Sequence, residues 1–147
     1  IAKLTSEVTH NHPEGIKGAE SAASAIYLAR TGAGKDEIKN HIEETYGYDL
    51  SRNLDDIRRI YDFDISCAGS VPESIIAFLE SEDFEDTVRN AISLGGDADT
   101  QAAIAGSIAS AYWDVPFDMY EKSLDYLDET LLAVYTEFEG KFILPNI

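Results

Sequence analysis

The sequence predicts an all-α protein, and three observations carry that prediction. Apolar residues recur three and four positions apart along most of the chain. Helix punctuation separates those runs, with glycines at Gly32–Gly34, Gly47 and Gly95-Gly96 and prolines at Pro72 and Pro116. Strand signals are weak throughout. The 147 residues suffice for one compact domain with a core, and no repeat, low-complexity tract or long linker divides it, so residues 1–147 read as part of a single domain.

Each element follows from its local pattern. Glu14–Thr31 (EGIKGAESAASAIYLART) is rich in Ala, with Ile26 and Leu28 as bulky contacts and Gly32–Gly34 as its stop. Asp36–Tyr46 places Ile38, Ile42 and Tyr46 four residues apart, one apolar stripe that Gly47 closes as a C-cap. Leu54–Tyr61 reads as a short helix. Asp62–Gly69 (DFDISCAG) reads as irregular or briefly extended chain, and Pro72 suits the first turn of a helix over Val71–Glu80 with Ile75, Ile76 and Leu79 inward. Phe84–Leu94 turns Phe84, Val88, Ala91 and Ile92 to one face. A helix restarts near Asp97 and runs to about Trp113; after Pro116, Asp118–Phe138 forms a last amphipathic helix.

Charge and cysteine usage exclude several classes. Lys+Arg 11 against Asp+Glu 28 gives a net charge of -17, which repels phosphate backbones and argues against a nucleic-acid duplex as partner. No polybasic cluster favours anionic lipid, and no apolar run approaches the length of a membrane span. The single cysteine, Cys67, allows no internal disulfide and fits a reducing compartment such as the cytoplasm. The N-terminal IAKLTSEVTHNHPEG has neither the pattern of a signal peptide nor an initiating Met, so the chain is expected to begin inside something larger or to have been processed.

The segment GGDADTQAAIAGSIASAYW holds the chemistry. Two glycines allow a sharp turn and close backbone approach. Asp97, Asp99 and Thr100 then put two carboxylates and a hydroxyl into the first helical turn. Hard cations such as Mg²⁺ take oxygen ligands, and this set offers oxygens to one or two of them. The helix behind is built from Ala, Gly and Ser, which let other helices approach closely. Asp at a helix start is also a preferred N-cap, worth about 1 kcal/mol, and on local grounds capping comes before metal binding. A cap, however, needs one acidic residue, and this turn has two.

Other candidates have plainer readings. His10-x-His12 could face one side of an extended segment as zinc ligands, but no Cys pair or second His cluster completes such a site. Cys67 has no neighbouring base or cation to activate it and reads as a buried structural thiol. Tyr61, Phe63, Tyr112, Trp113 and Phe117 read as core ahead of base platforms. The acidic runs Asp55-Asp56, Glu82–Asp86 and Asp125–Glu129 read as solvated faces and helix starts.

GGDADTQAAIAGSIASAYW resembles the C-terminal signature of the ADP-ribosylglycohydrolases, in which two glycines precede Asp-x-Asp-Thr and a helix of small residues. THNHPEGIKGAESAASAIYLAR, from Thr9 to Arg30, resembles that family's Thr-His segment and the Ala-rich helix after it. SCAGSVPESIIAFLES, from Ser66 to Ser81, resembles the stretch leading to the second metal motif. The likeness runs in order from about Thr9 to Pro116. It implies a compact orthogonal helical bundle, a centre of two Mg²⁺ or Mn²⁺ ions, and a cleft for ADP-ribose. By that likeness Asp97, Asp99 and Thr100 are metal ligands, Asp99 bridges both ions, and His10 lies near the ligand. Gly69 and Ser70, ahead of the Val71 helix, are candidates to give the pyrophosphate backbone N–H donors; a plain Ser cap before Pro72 is the equal alternative.

The chain departs from the family in lacking the Gly-Asp-rich segment and the Thr-Asp-Asp motif of the N-terminal half. The expectation is therefore a C-terminal half: a metal-dependent hydrolase removing ADP-ribose from a modified protein or small molecule, whose general acid or base lies on the absent half. The chain alone is expected to have little turnover, and to associate with the N-terminal piece or with itself. A helical module that binds ADP-ribose without cleaving it is the rival, and a structural remnant in which Asp97 is only a cap is a third reading.

Overall fold

The computed structural model describes residues 1–142. Every element among them is helical, and no strand occurs among the described residues. The helices are α1 (Ala2–Ser6), α2 (Pro13–Arg30), α3 (Lys35–Tyr46), α4 (Leu54–Ile60), α5 (Cys67–Leu79), α6 (Phe84–Ser93), α7 (Ala98–Tyr112), α8 (Phe117–Leu124) and α9 (Glu129–Phe142). The all-α class therefore stands. Among the described residues no helix is long and apolar enough to cross a membrane.

Two compact units divide the chain, one over Ile1–Asp114 and one from Val115 onward. In the first, α5 is the central helix. Its residues from Ser70 to Phe78 are all buried, and α2, α4, α6 and α7 pack around it. Ile38 and Ile42 of α3, Ile75, Ile76 and Phe78 of α5, and Ile108 of α7 have essentially no exposed surface; each such side chain contributes about 1.5–3 kcal/mol of burial.

Small residues set how closely these helices approach. The buried face of α2 is Gly15, Gly18, Ser21, Ala25 and Ala29, while Ile26 and Leu28, expected as its main contacts, are only half-buried. A Cβ on Gly18 would stand 3.0 Å from the Cys67 Cβ and 3.2 Å from Val71 Cγ2. The start of α2 thus lies against the start of α5. At the far end of α5, Phe78 meets Tyr112 and Trp113 edge-on, with ring centroids 5.4 and 5.5 Å apart. Lys35 closes that end: its Nζ donates to the carbonyls of Leu79 and Ser81 and lies 4.7 Å over the Trp113 ring. The helices α2, α5 and α7 therefore begin at one end of the unit.

Four sequence expectations change. A short α1 precedes α2 and was not anticipated. Helix α5 begins at Cys67, not Val71, because Ser66 caps it by accepting the Gly69 N–H at 3.1 Å. Pro72 consequently sits within the helix, where it removes the N–H that would donate to the Ala68 carbonyl. Ile92, expected inward, is 52% exposed, and Thr87 with Ala91 forms the buried face of α6. The last helix is two helices, because Asp128 Oδ1 accepts the N–H groups of Thr130 and Leu131, each at 2.9 Å, and starts α9 afresh. Within that second unit, Tyr120 and Tyr135 both donate to Glu139 Oε1 and join α8 to α9.

Candidate metal and ligand site

The glycines of the carboxylate turn meet both demands anticipated of them. Gly95 and Gly96 adopt φ of 77° and 66°, left-handed conformations that L side chains rarely take. A Cβ on Gly96 would stand 2.8 Å from Tyr61 Cε1 and 3.5 Å from the Asp62 carbonyl oxygen. The turn is thus pressed against the segment joining α4 to α5. Tyr61 in turn donates its hydroxyl to the Gly69 carbonyl at 3.0 Å, which ties the start of α7 to the start of α5.

Asp97 occupies the N-cap position of α7, yet its side chain makes no capping hydrogen bond. Its backbone is non-helical there, with φ of -80° and ψ of 67°. The Asp97 carboxylate instead lies against that of Asp99. That contact comes first in holding the Asp99 carboxyl below the ordinary carboxylate range; the Thr100 N–H, donating to Asp99 Oδ1 at 2.8 Å, adds to it. The plain capping explanation of Asp97 does not describe this geometry. Two carboxylates side by side, with the Thr100 hydroxyl one residue on, form an all-oxygen donor set of the kind Mg²⁺ and Mn²⁺ take. Among the described residues no group of three His, Cys, Asp or Glu side chains converges, so further oxygens would have to come from water or from another segment.

His10 lies on a different wall. A cleft of about 420 Å³ opens between the start of α2 and the start of α5, lined by Thr9, His10, His12, Ile65, Ser66 and Cys67 among others. Thr9 Oγ1 and His10 Nδ1 are hydrogen-bonded at 2.8 Å, which fixes the ring orientation. His12 is the N-cap of α2, its Nδ1 accepting the Glu14 N–H at 3.2 Å. Two helix N-termini therefore border this cleft, and their amide dipoles offset in part the negative charge of Glu14, which also lines it. Cys67 is half-buried on the cleft wall, not fully buried as expected.

Gly69 and Ser70 are inside α5 and not ahead of it. The Gly69 N–H donates to Ser66 Oγ, the Ser70 N–H donates to the Ser66 carbonyl, and Ser70 is buried. Their amides are spent in the helix itself. The amides preceding them, of Cys67 and Ala68, stand at the N-terminal end of α5 beside the cleft.

A second cleft of about 380 Å³ lies across the same 61–65 segment, bordered by Arg52, Tyr61, Asp62, Phe63, Asp64 and Glu73 among others. The Arg52 guanidinium grips the buried Glu73 carboxylate with two bonds of 2.7 and 2.8 Å. Asp64 is held below its usual pKa by the Ser66 hydroxyl first and the Ser66 N–H second. A Cβ on Gly69 would overlap that carboxylate. Burial first, and then the charges of Asp64, Glu73 and Asp97, push the Tyr61 phenol up. Phe63 is 65% exposed at the rim of this cleft and Phe117 is 70% exposed, against the core reading of both, whereas Tyr112 and Trp113 are partly buried against the core.

The structure thus brings Asp97, Asp99 and Thr100 together, and places His10 on a cleft reached through the 61–68 segment. The Tyr61–Asp64 segment and the Arg52–Glu73 pair were not foreseen. The Asp-x-Asp pair at Asp62 and Asp64 was the available signal for the former.

Comparisons with known proteins agree with the resemblance. The profile of the ADP-ribosylglycohydrolase family matches residues 1–141. An uncharacterized protein of Archaeoglobus fulgidus is 28% identical over 91% of this chain and 50% of its own length. The ADP-ribosylhydrolase ARH3 of Gallus gallus is 28% identical over 88% of this chain and 48% of its own. An ADP-ribosylarginine hydrolase of Pseudomonas putida is 30% identical over 75% of this chain and 31% of its own. The chain spans about half the length of the first two of these relatives, and no solved structure matches it significantly. With a family match running from Ile1 to Lys141 in the last turn of α9, this chain belongs to the ADP-ribosylglycohydrolase family.

Proposed function

We propose that this chain is the part of an ADP-ribosylglycohydrolase that supplies Asp97, Asp99 and Thr100 to a centre of two Mg²⁺ or Mn²⁺ ions, and that the complete protein hydrolyses the bond between ADP-ribose and a modified protein or small molecule. The observation that carries this reading is the Asp97 carboxylate, which stands at a helix start without capping it and lies against Asp99.

Bound there, the ions would supply Lewis acidity and a template for ribose hydroxyls and water. The chain's own residues do the remainder. Asp97 and Asp99 would hold the ions through their carboxylates, with the Thr100 hydroxyl beside them. The N-termini of α2 and α5, with the amides of Cys67 and Ala68, face the cleft that would take the pyrophosphate. His10, its Nδ1 engaged by Thr9, directs Nε2 to the same ligand. The general acid or base, and the remaining metal ligands, belong to the other half of the length that the relatives have. Residues 1–147 are on this reading one portion of a single domain, acting in the cytoplasm with that other segment or in self-association.

The test is hydrolysis of ADP-ribosyl-arginine and ADP-ribosyl-serine peptides by the chain alone and by the complete protein. Turnover by the complete protein, its loss in Asp99→Ala and little turnover by the chain alone are expected. Full activity of the isolated chain, or an unaffected Asp99→Ala, overturns the assignment. A second reading has one observation in its favour: no third carboxylate or imidazole joins Asp97 and Asp99 among the described residues. In that reading the chain is a helical module that binds ADP-ribose or a related nucleotide without cleaving it, and calorimetry would find metal-independent binding.

A further inference from the structure

Gln101 has no exposed surface, and neither its amide nitrogen nor its amide oxygen has a hydrogen-bond partner. A carboxamide in such a place opposes folding, and leucine or methionine would fill the same volume without that penalty. Its position relative to the carboxylate turn gives it a use. The Gln101 N–H donates to the Asp97 carbonyl at 3.0 Å, so Gln101 stands one helical turn beyond Asp97 and on the same face. Side chains on a helix lean toward its N-terminus and cover the preceding turn. The unpartnered carboxamide therefore lies toward the Asp97–Ala98 side of that turn, on the buried face of α7, while Asp99 and Thr100 are exposed. Gln and Asp four residues apart can pair by a side-chain hydrogen bond, and the Asp97 carboxylate is not occupied with capping.

We propose that Gln101 is the positioning residue of the Asp97 carboxylate. With one Asp97 oxygen turned to a divalent cation, the Gln101 amide NH₂ donates to the other oxygen and fixes the plane of the carboxylate. This rests on the metal reading above, and it explains why α7 carries a polar group where the core would favour an apolar one. Hydrogen-bond partners of ligating carboxylates commonly govern metal affinity by 10–100-fold.

The test is a Mn²⁺ titration of the complete protein followed by the free-ion EPR signal, on wild type, Gln101→Leu, Gln101→Met and Asp99→Ala, with a melting curve for each. Gln101→Leu and Gln101→Met are expected to melt at or above the wild-type temperature and to bind Mn²⁺ about 10–100-fold more weakly. Either folded Gln101 variant binding Mn²⁺ within about twofold of wild type, while Asp99→Ala binds much more weakly, overturns the role of Gln101 and leaves the metal reading intact. Equal binding by wild type and Asp99→Ala, or none by either, overturns the metal reading and this inference with it.

Discussion

Replacing Gly96 by alanine tests how the carboxylate turn is held, and Gly95 supplies the control. Both glycines adopt left-handed φ, 77° at Gly95 and 66° at Gly96, so alanine at either pays about 1–2 kcal/mol in backbone strain. Only Gly96 has a steric neighbour. A Cβ at Gly95 meets nothing within 4 Å, whereas one at Gly96 stands 2.8 Å from Tyr61 Cε1. The Tyr61 ring cannot simply swing aside, because its hydroxyl donates to the Gly69 carbonyl at 3.0 Å. Displacing it adds about 1–2 kcal/mol, from overpacking and a weakened hydrogen bond. Gly96→Ala should therefore cost about 2–4 kcal/mol in all, and exceed Gly95→Ala by about 1–2 kcal/mol. Urea denaturation followed by the fluorescence of Trp113, the single tryptophan, measures this as a midpoint difference of about 0.5–1 M at unchanged m. Tyr61→Ala in the Gly96→Ala background should recover the steric part, since the two side chains are in contact. Equal destabilisation by the two glycine variants would refute the close packing of the turn on Tyr61.

Two further outcomes follow from the 49–73 region. Arg52→Met leaves the buried Glu73 carboxylate without its two-bonded partner; a loss of about 2–3 kcal/mol is expected, below the range for a fully buried pair because Arg52 is 39% exposed, and Glu73→Gln in the same background should return part of it in the melting temperature. The Asp64 carboxyl lies below its ordinary value of 3.8 when folded, so at that site the folded chain binds fewer protons than the unfolded one. Its contribution is fully present above about pH 5 and disappears as pH falls through the folded value. Melting curves from pH 6 to pH 3 should show this acid limb, shallower in Asp64→Asn, and a limb unchanged by that substitution would contradict the hydrogen bonds from Ser66.

How much of the protein was legible in its sequence differs from helix to helix. The Ile38–Ile42–Tyr46 stripe fixed α3, because a single apolar face suffices to choose a helix, and Gly47 adopts the left-handed C-cap expected of it, with φ of 67°. The start of α5 was misplaced because Pro72 is a strong local signal for a first turn. Ser66 outweighs it by capping four residues earlier than the expected start, and the burial of Ser70–Phe78 holds the longer helix. That shift also moved Gly69 and Ser70 from the helix entrance into its interior, which altered their candidate role.

By itself the sequence determined the helical class, the glycine turn, and the placing of Asp97, Asp99 and Thr100 within one turn. These depend on neighbours a few positions apart, and periodicity, propensity and spacing report such neighbours directly. Only the tertiary structure decided that Asp97 does not cap its helix, that Gly96 is pressed on Tyr61, and that Gln101 is buried without a partner. It likewise decided that the starts of α2 and α5 border one cleft. Those outcomes depend on contacts between residues such as Gly18 and Cys67, or Tyr61 and Gly96. Their separation along the chain leaves no local trace, and the close packing of small residues sets their distances.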